Sequence, residues 1–207
     1  MKPIQTYVPA PLPGTGTPPH GLFVKRWGAL LQKPSQGFCA KFEDAELVEG
    51  AVDMLFRAQH AGWNIYLIGN EDAVAQGRWS DSSWTAFEGK LLEHLAGYGV
   101  PVKRNYACLD HPEGKGKHAK DSVFLLPNTG ALYHAAQFDG IQLSECWVIG
   151  DSSLELSAAW RAGCHTAAVR TGEGMADGEI QVEPELWADD LTEALTEILA
   201  AERLARR

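Results

Sequence analysis

From residue 21 onward, short apolar runs alternate with stretches of helical periodicity, and this alternation restricts the fold more than any other feature of the chain. Residues 22–25, 64–68, 104–108, 146–149 and 166–169 read as strands. Between them, 46–61 carries apolar residues at Leu47, Val52, Leu55, Phe56 and Ala58 and closes on Gly62. Residues 83–98 repeat the pattern through Trp84, Phe87, Leu91, Leu92 and Leu95 before Gly99. Helices over 129–138, 153–162 and 190–204 complete the set. Strands alternating with helices imply βαβ units, and so an α/β fold with a Rossmann-like parallel sheet and helices on both faces. In open sheets of this kind ligands bind beyond the carboxyl ends of the strands, so the loops there are the place to look for chemistry.

With 207 residues the chain suits one domain over 21–207, preceded by a Pro-rich arm over 1–20. The arm carries Pro3, Pro9, Pro11, Pro13, Pro18 and Pro19, a composition that favours extended chain. It lacks a basic start followed by an apolar stretch, so no secretory signal is expected and the cytoplasm is the expected compartment. No apolar run approaches the roughly 20 residues of a membrane span. Cys39, Cys108, Cys146 and Cys164 form no CxxC, which argues against a disulfide framework or redox motif, and the last two read as buried apolar residues. A net charge of −9 disfavours nucleic acid as a partner, since phosphate backbones are held by clustered Lys and Arg. Trp63, Trp84, Trp147 and Trp160 read as core aromatics.

The loops after the strands are Lys25-Arg26-Trp27-Gly28, Gly69-Asn70-Glu71-Asp72, Cys108-Leu109-Asp110-His111 and Gly150-Asp151-Ser152-Ser153-Leu154-Glu155. With the helix opening Glu46-Leu47-Val48-Glu49-Gly50 and the run Ala162-Gly163-Cys164, they resemble the haloacid-dehalogenase superfamily. The resemblance is strongest to its capless branch of histidinol-phosphate and heptose-bisphosphate phosphatases. It implies a HAD-like fold without a large cap domain.

The same resemblance implies where chemistry would sit. Family phosphatases attack phosphorus with one aspartate of D-x-D and exchange protons through the other, and here those positions are Lys25 and Trp27. The positions that hold phosphate are Gly69 and Leu126, although Lys120 could supply a cation from the preceding loop. No intact catalytic residue is therefore expected. Asp151 and Glu155 remain as residual ligands for Mg²⁺, which Lys25 disfavours either by pairing with Asp151 or, less favourably, by snorkelling to solvent. No cofactor is expected. Zinc is not expected either: Cys108, Asp110, His111 and His118 lack the second C-x-C half of the branch's zinc loop.

Asn70, Asp72 and Trp27 are the candidate ligand-binding residues, with Trp27 either plugging the pocket or stacking on a ligand. Taken together these losses lead to the expectation of a catalytically inactive homologue that acts by binding a protein partner or small ligand, in a regulatory or assembly role. Two alternatives stay open. One is a phosphate-ester hydrolase using Asp151, Glu155 or Asp72 in new roles; the other is a non-catalytic binder of small molecules or nucleotides.

Overall fold

The structure, a computed structural model, describes residues 20–205; residues 1–19 of the Pro-rich arm expected over 1–20 lie outside the described residues, and its last residue, His20, opens the first strand. In chain order the elements are β1 His20–Lys25, α1 Ala51–His60, β2 Trp63–Asn70, α2 Asp72–Ala75, α3 Asp81–Gly97 and β3 Val102–Cys108. They continue with α4 Gly130–Asp139, β4 Trp147–Gly150, α5 Ser153–Ala162, β5 His165–Val169, β6 Leu186–Ala188 and α6 Leu191–Ala205. All strand pairings are parallel, in the order β3-β2-β1-β4-β5-β6.

Alternation along the central strands feeds two cores. Leu22 and Val24 of β1, with Ile65 and Leu67 of β2, pack under α1, α3 and α6. Phe23, Tyr66, Ile68 and Val148 point the other way, onto α4 and α5. Helices on both faces are what a buried parallel sheet requires. No helix among the described residues is long and apolar enough to cross a membrane.

Three sequence expectations shift. The helix expected over 46–61 starts at Ala51, because Gly50 caps it with φ +73° in the left-handed region, and a Cβ there would press on Thr192 at 3.1 Å. A sixth strand, β6, is only three residues long, too short to show a period. Trp160 is not a core residue: it is 72% exposed on the last turn of α5, whereas Trp63 and Trp84 are buried. All four cysteines are free and buried.

Candidate functional site

The strand order reverses between β1 and β4, and at that switch point the carboxyl ends of β1, β2 and β4 open onto a cleft of about 400 Å³. Lys25 is the last residue of β1 and Asp151 directly follows β4, so the sheet itself sets them side by side. The Lys25 ammonium lies 2.9 Å from Asp151 Oδ1 and 3.1 Å from Glu155 Oε2, and donates to Ser152 Oγ at 2.8 Å. Two ion pairs and one hydrogen bond thus hold the ammonium in place.

Both carboxylates are fully buried. Ser152 precedes α5, and its N–H donates to Glu155 Oε1 while its hydroxyl donates to Oε2, each at 2.6 Å. That is the reach-back half of a capping box, and it explains why the Ser152…Glu155 spacing fixes Glu155 at the helix start, where the helix dipole favours negative charge. Asp151 Oδ2 accepts from the Glu173 N–H at 2.7 Å. Gly28 and Gly172 press on the same oxygen, and a Cβ at either would lie 2.1 or 2.0 Å from it.

Burial alone would lower the Lys25 pKa, but the charges and hydrogen bonds of Glu155 and Asp151 outweigh it and hold the ammonium above its ordinary range. Burial, with repulsion from Asp151, pushes the Glu155 carboxyl upward in spite of Lys25. Two acids thus share one fixed cation.

The other expected site residues have mixed fates. Trp27 lines the cleft but is 5% exposed, stacks on Phe87 and donates its indole N–H to Glu71 at 3.1 Å, so it fills space rather than offering an open ring. Asn70 also lines the cleft, yet its amide clasps the backbone of Leu126, accepting at 2.8 Å and donating at 3.1 Å. Leu126 is buried in the α4/α5 core. Asp72, the first residue of α2, is exposed on the cleft with a carboxylate that carries no partner among the described residues. Lys120 is not brought to the cleft; it faces Asp110 at 3.3 Å in a separate depression.

Sequence reasoning passed over Arg26, Lys33, Arg78 and Asp177. Arg26 is wholly buried beside Lys25 and pairs with Glu71 and Asn105. A signal existed, because neighbours at a strand end point to opposite sides, so Lys25 and Arg26 cannot both face the cleft. Gly69 serves this pair: a Cβ there would meet Arg26 Nη1 at 3.1 Å. Lys33, paired with Glu173, and Arg78, held by the Gln36 carbonyl at 2.9 Å, bring positive charge to the cleft rim. Asp177 accepts from the Ser153 N–H at 3.0 Å at the start of α5.

The residues do not fit a divalent metal between Asp151 and Glu155, since the Lys25 ammonium already stands there at ion-pair distance from both. Among the described residues no cluster of three or more His, Cys, Asp or Glu side chains is arranged to hold a metal. Around Cys108, His118 instead bridges Asp110 and Asp81, at 2.9 Å each, and Cys108 Sγ contacts the Asp110 carbonyl at 3.3 Å.

A model of the HAD-hydrolase-like family matches residues 126–194. The D-glycero-D-manno-heptose-1,7-bisphosphate 7-phosphatase of Thermosynechococcus vestitus is 31% identical over 187 residues, 86% of this chain and 94% of that one. A putative HAD-like phosphatase from Mesorhizobium loti, solved by crystallography, superposes with a TM-score of 0.73 at 27% identity, covering 93% of this chain and 90% of that one. The D,D-heptose 1,7-bisphosphate phosphatase of B. bronchiseptica, solved with magnesium and phosphate, has the same fold, with a TM-score of 0.76 at 23% identity over 88% and 99% of the two chains.

These relatives overturn the expectation of an inactive protein acting only by binding. They share nearly their whole length with this chain and carry the names of phosphatases, which favours the hydrolase alternative. That expectation rested on losses at Lys25, Trp27, Gly69, Leu126 and the zinc loop, and it equated them with the loss of a charged site. The cleft keeps a fixed cation, two buried acids, a free carboxylate at Asp72 and basic groups at its rim. The chain belongs to the HAD-like superfamily, in the branch whose named members include the heptose-bisphosphate phosphatases.

Proposed function

We propose that the chain is a phosphate-ester hydrolase of the HAD-like type with an altered active site, acting on a phosphorylated sugar. The observation that carries this reading is the near full-length similarity to a named heptose-bisphosphate phosphatase, 31% identical over 94% of its length. The cleft at the switch point supports it, since that is where the fold places a ligand.

The residues present allow one route. Arg78 and Lys33 at the rim attract the phosphate oxygens and offset the charge that develops on them during transfer. Asp72, unpaired and exposed on the cleft, takes a proton from a water whose oxygen forms the new P–O bond, and as the ester P–O bond breaks the protonated Asp72 gives that proton to the leaving oxygen and returns to the carboxylate. Lys25 does not bind substrate in this reading, because its ammonium is held by ion pairs to Asp151 and Glu155 and a hydrogen bond to Ser152. Nor does a magnesium ion stand between those two acids. Lys25 keeps the strand ends and the start of α5 charge-balanced, so that the cleft floor is rigid.

The test is phosphate release from a panel of sugar mono- and bisphosphates by purified protein, beside Asp72→Asn and Arg78→Gln variants. Release that follows the protein and drops at least tenfold in both variants supports the reading. Release equal to a buffer blank, or unchanged in Asp72→Asn, refutes it.

A further inference from the structure

We infer that the outer face of α4 and α5 is a docking surface for a second copy of this chain, related by a two-fold axis, with Trp160 of each copy seated in a hollow beside Tyr133 of the other. The inference goes beyond the hydrolase reading and does not rest on it.

Of the eight large apolar side chains left exposed among the described residues, four lie on the side of the sheet that α4 and α5 cover: Val123, Tyr133, Phe138 and Trp160. Trp160 stands out furthest, at 72% exposure on the last turn of α5. Covering a tryptophan removes about 150–250 Å² from water, and a group of exposed apolar side chains of this size marks a contact surface. Directly after Trp160, Arg161 lines an open hollow of about 650 Å³ together with Asp121, Val123, Asn128 and Tyr133. Knob and hollow thus stand side by side. A two-fold contact uses the same patch on both partners, and it needs a projecting group and its receptor on one surface, as here.

Charge singles out a second copy as the occupant. Asp121 and Arg161 are the charged residues that line the hollow, one of each sign. They do not pair with each other: Asp121 carries no partner among the described residues, and Arg161 makes one long bond, donating to the Pro127 carbonyl at 3.4 Å. A two-fold axis at the hollow brings Asp121 of one copy to Arg161 of the other, and does so twice. The chain has a net charge of −9, yet this patch is balanced, so two copies meet here without like charges opposed. A strongly basic or acidic partner would find no complementary field. Aromatic side chains flanked by charged pairs are also the groups that carry most of the energy in protein contacts. Four such apolar side chains correspond to the lower end of the roughly 1,200–2,000 Å² that stable interfaces bury, so the dimer should be reversible, with a dissociation constant on the order of 10 µM.

The experiment is sedimentation equilibrium on the full chain over about 1–300 µM, with thermal melts to confirm that each variant is folded. The wild type should follow a reversible monomer–dimer equilibrium. Trp160→Ala should weaken it about tenfold or more while leaving the melt of the dilute monomer unchanged, because the ring touches little within its own chain. Asp121→Arg alone and Arg161→Asp alone should each abolish association, since each sets like charges against one another across the axis. Mixing these two variants should restore the dimer, because every contact across the axis then joins opposite charges.

A wild type that stays monomeric throughout the range overturns the proposal and leaves this face to a different protein or to the arm over 1–19. A dimer unaffected by Trp160→Ala overturns it too, by placing the interface elsewhere. So does a mixture of the two charge variants that associates no more tightly than either variant alone.

Discussion

Replacing Glu71 with leucine should be among the most destabilising single changes available in this protein. Arg26 has no exposed surface and Glu71 is 3% exposed; the two side chains pair directly, with Asn105 on the second guanidinium nitrogen. Glu71 also accepts the Trp27 indole N–H at 3.1 Å, and the guanidinium lies 5.0 Å from the Trp84 ring centroid. Arg26 Nε already lacks a hydrogen-bond partner among the described residues, so the guanidinium has little left to fall back on.

Breaking a buried pair by removing one partner costs about 3–5 kcal/mol, because the other charge stays behind. The orphaned indole N–H adds about 1 kcal/mol or more, not fully additively. A loss of about 4 kcal/mol in a domain of this size lowers Tm by roughly 8–16 °C. The double variant Arg26→Met/Glu71→Leu removes both charges and should recover much of that loss, since well-packed apolar replacements of buried pairs are often neutral. The assay is urea unfolding followed by the fluorescence of the seven tryptophans. A Glu71→Leu variant within about 1 kcal/mol of wild type, or a double variant no more stable than the single, would refute the reasoning.

Two further outcomes follow from burial. Burial pushes the Cys146 thiol up to about 11 and Cys164 up to about 12, so the native state holds protons that the unfolded chain releases near pH 9. That stabilisation is complete below pH 9 and is lost as pH rises through about 11 for Cys146 and about 12 for Cys164, which pH-dependent urea titrations will show; neither thiol should react with iodoacetamide at pH 8 unless the protein is unfolded. Gly28→Ala should cost more than about 2 kcal/mol, because φ is +95° and the new Cβ would collide with Asp151, and a thermal melt indistinguishable from wild type would contradict that.

The parallel sheet with helices on both faces was legible because its strands are short apolar runs set between amphipathic helices. The side-by-side placement of Lys25 and Asp151 was equally accessible, as each lies at or just past the end of a strand and those ends share one rim of the sheet. The roles of Arg26 and Gly69 were not. Their meaning depends on a contact between the loops after β1 and β2, where glycine leaves room for a guanidinium, and no periodicity encodes that. Lys120 illustrates the reverse failure: its charge suggested a phosphate contact, but its loop carries it to Asp110 and away from the cleft. Trp160 was misplaced because a bulky aromatic on an amphipathic helix was assigned to the core without deciding which face it occupies; that ring is 72% exposed.

The central claim, hydrolysis of a phosphate ester in the altered cleft, is tested most directly by phosphate release from sugar bisphosphates by the wild-type chain, measured with EDTA and again with added Mg²⁺. The account predicts release proportional to protein in both conditions and at least tenfold slower in Asp72→Asn. Release no faster than the buffer blank in either condition would contradict it.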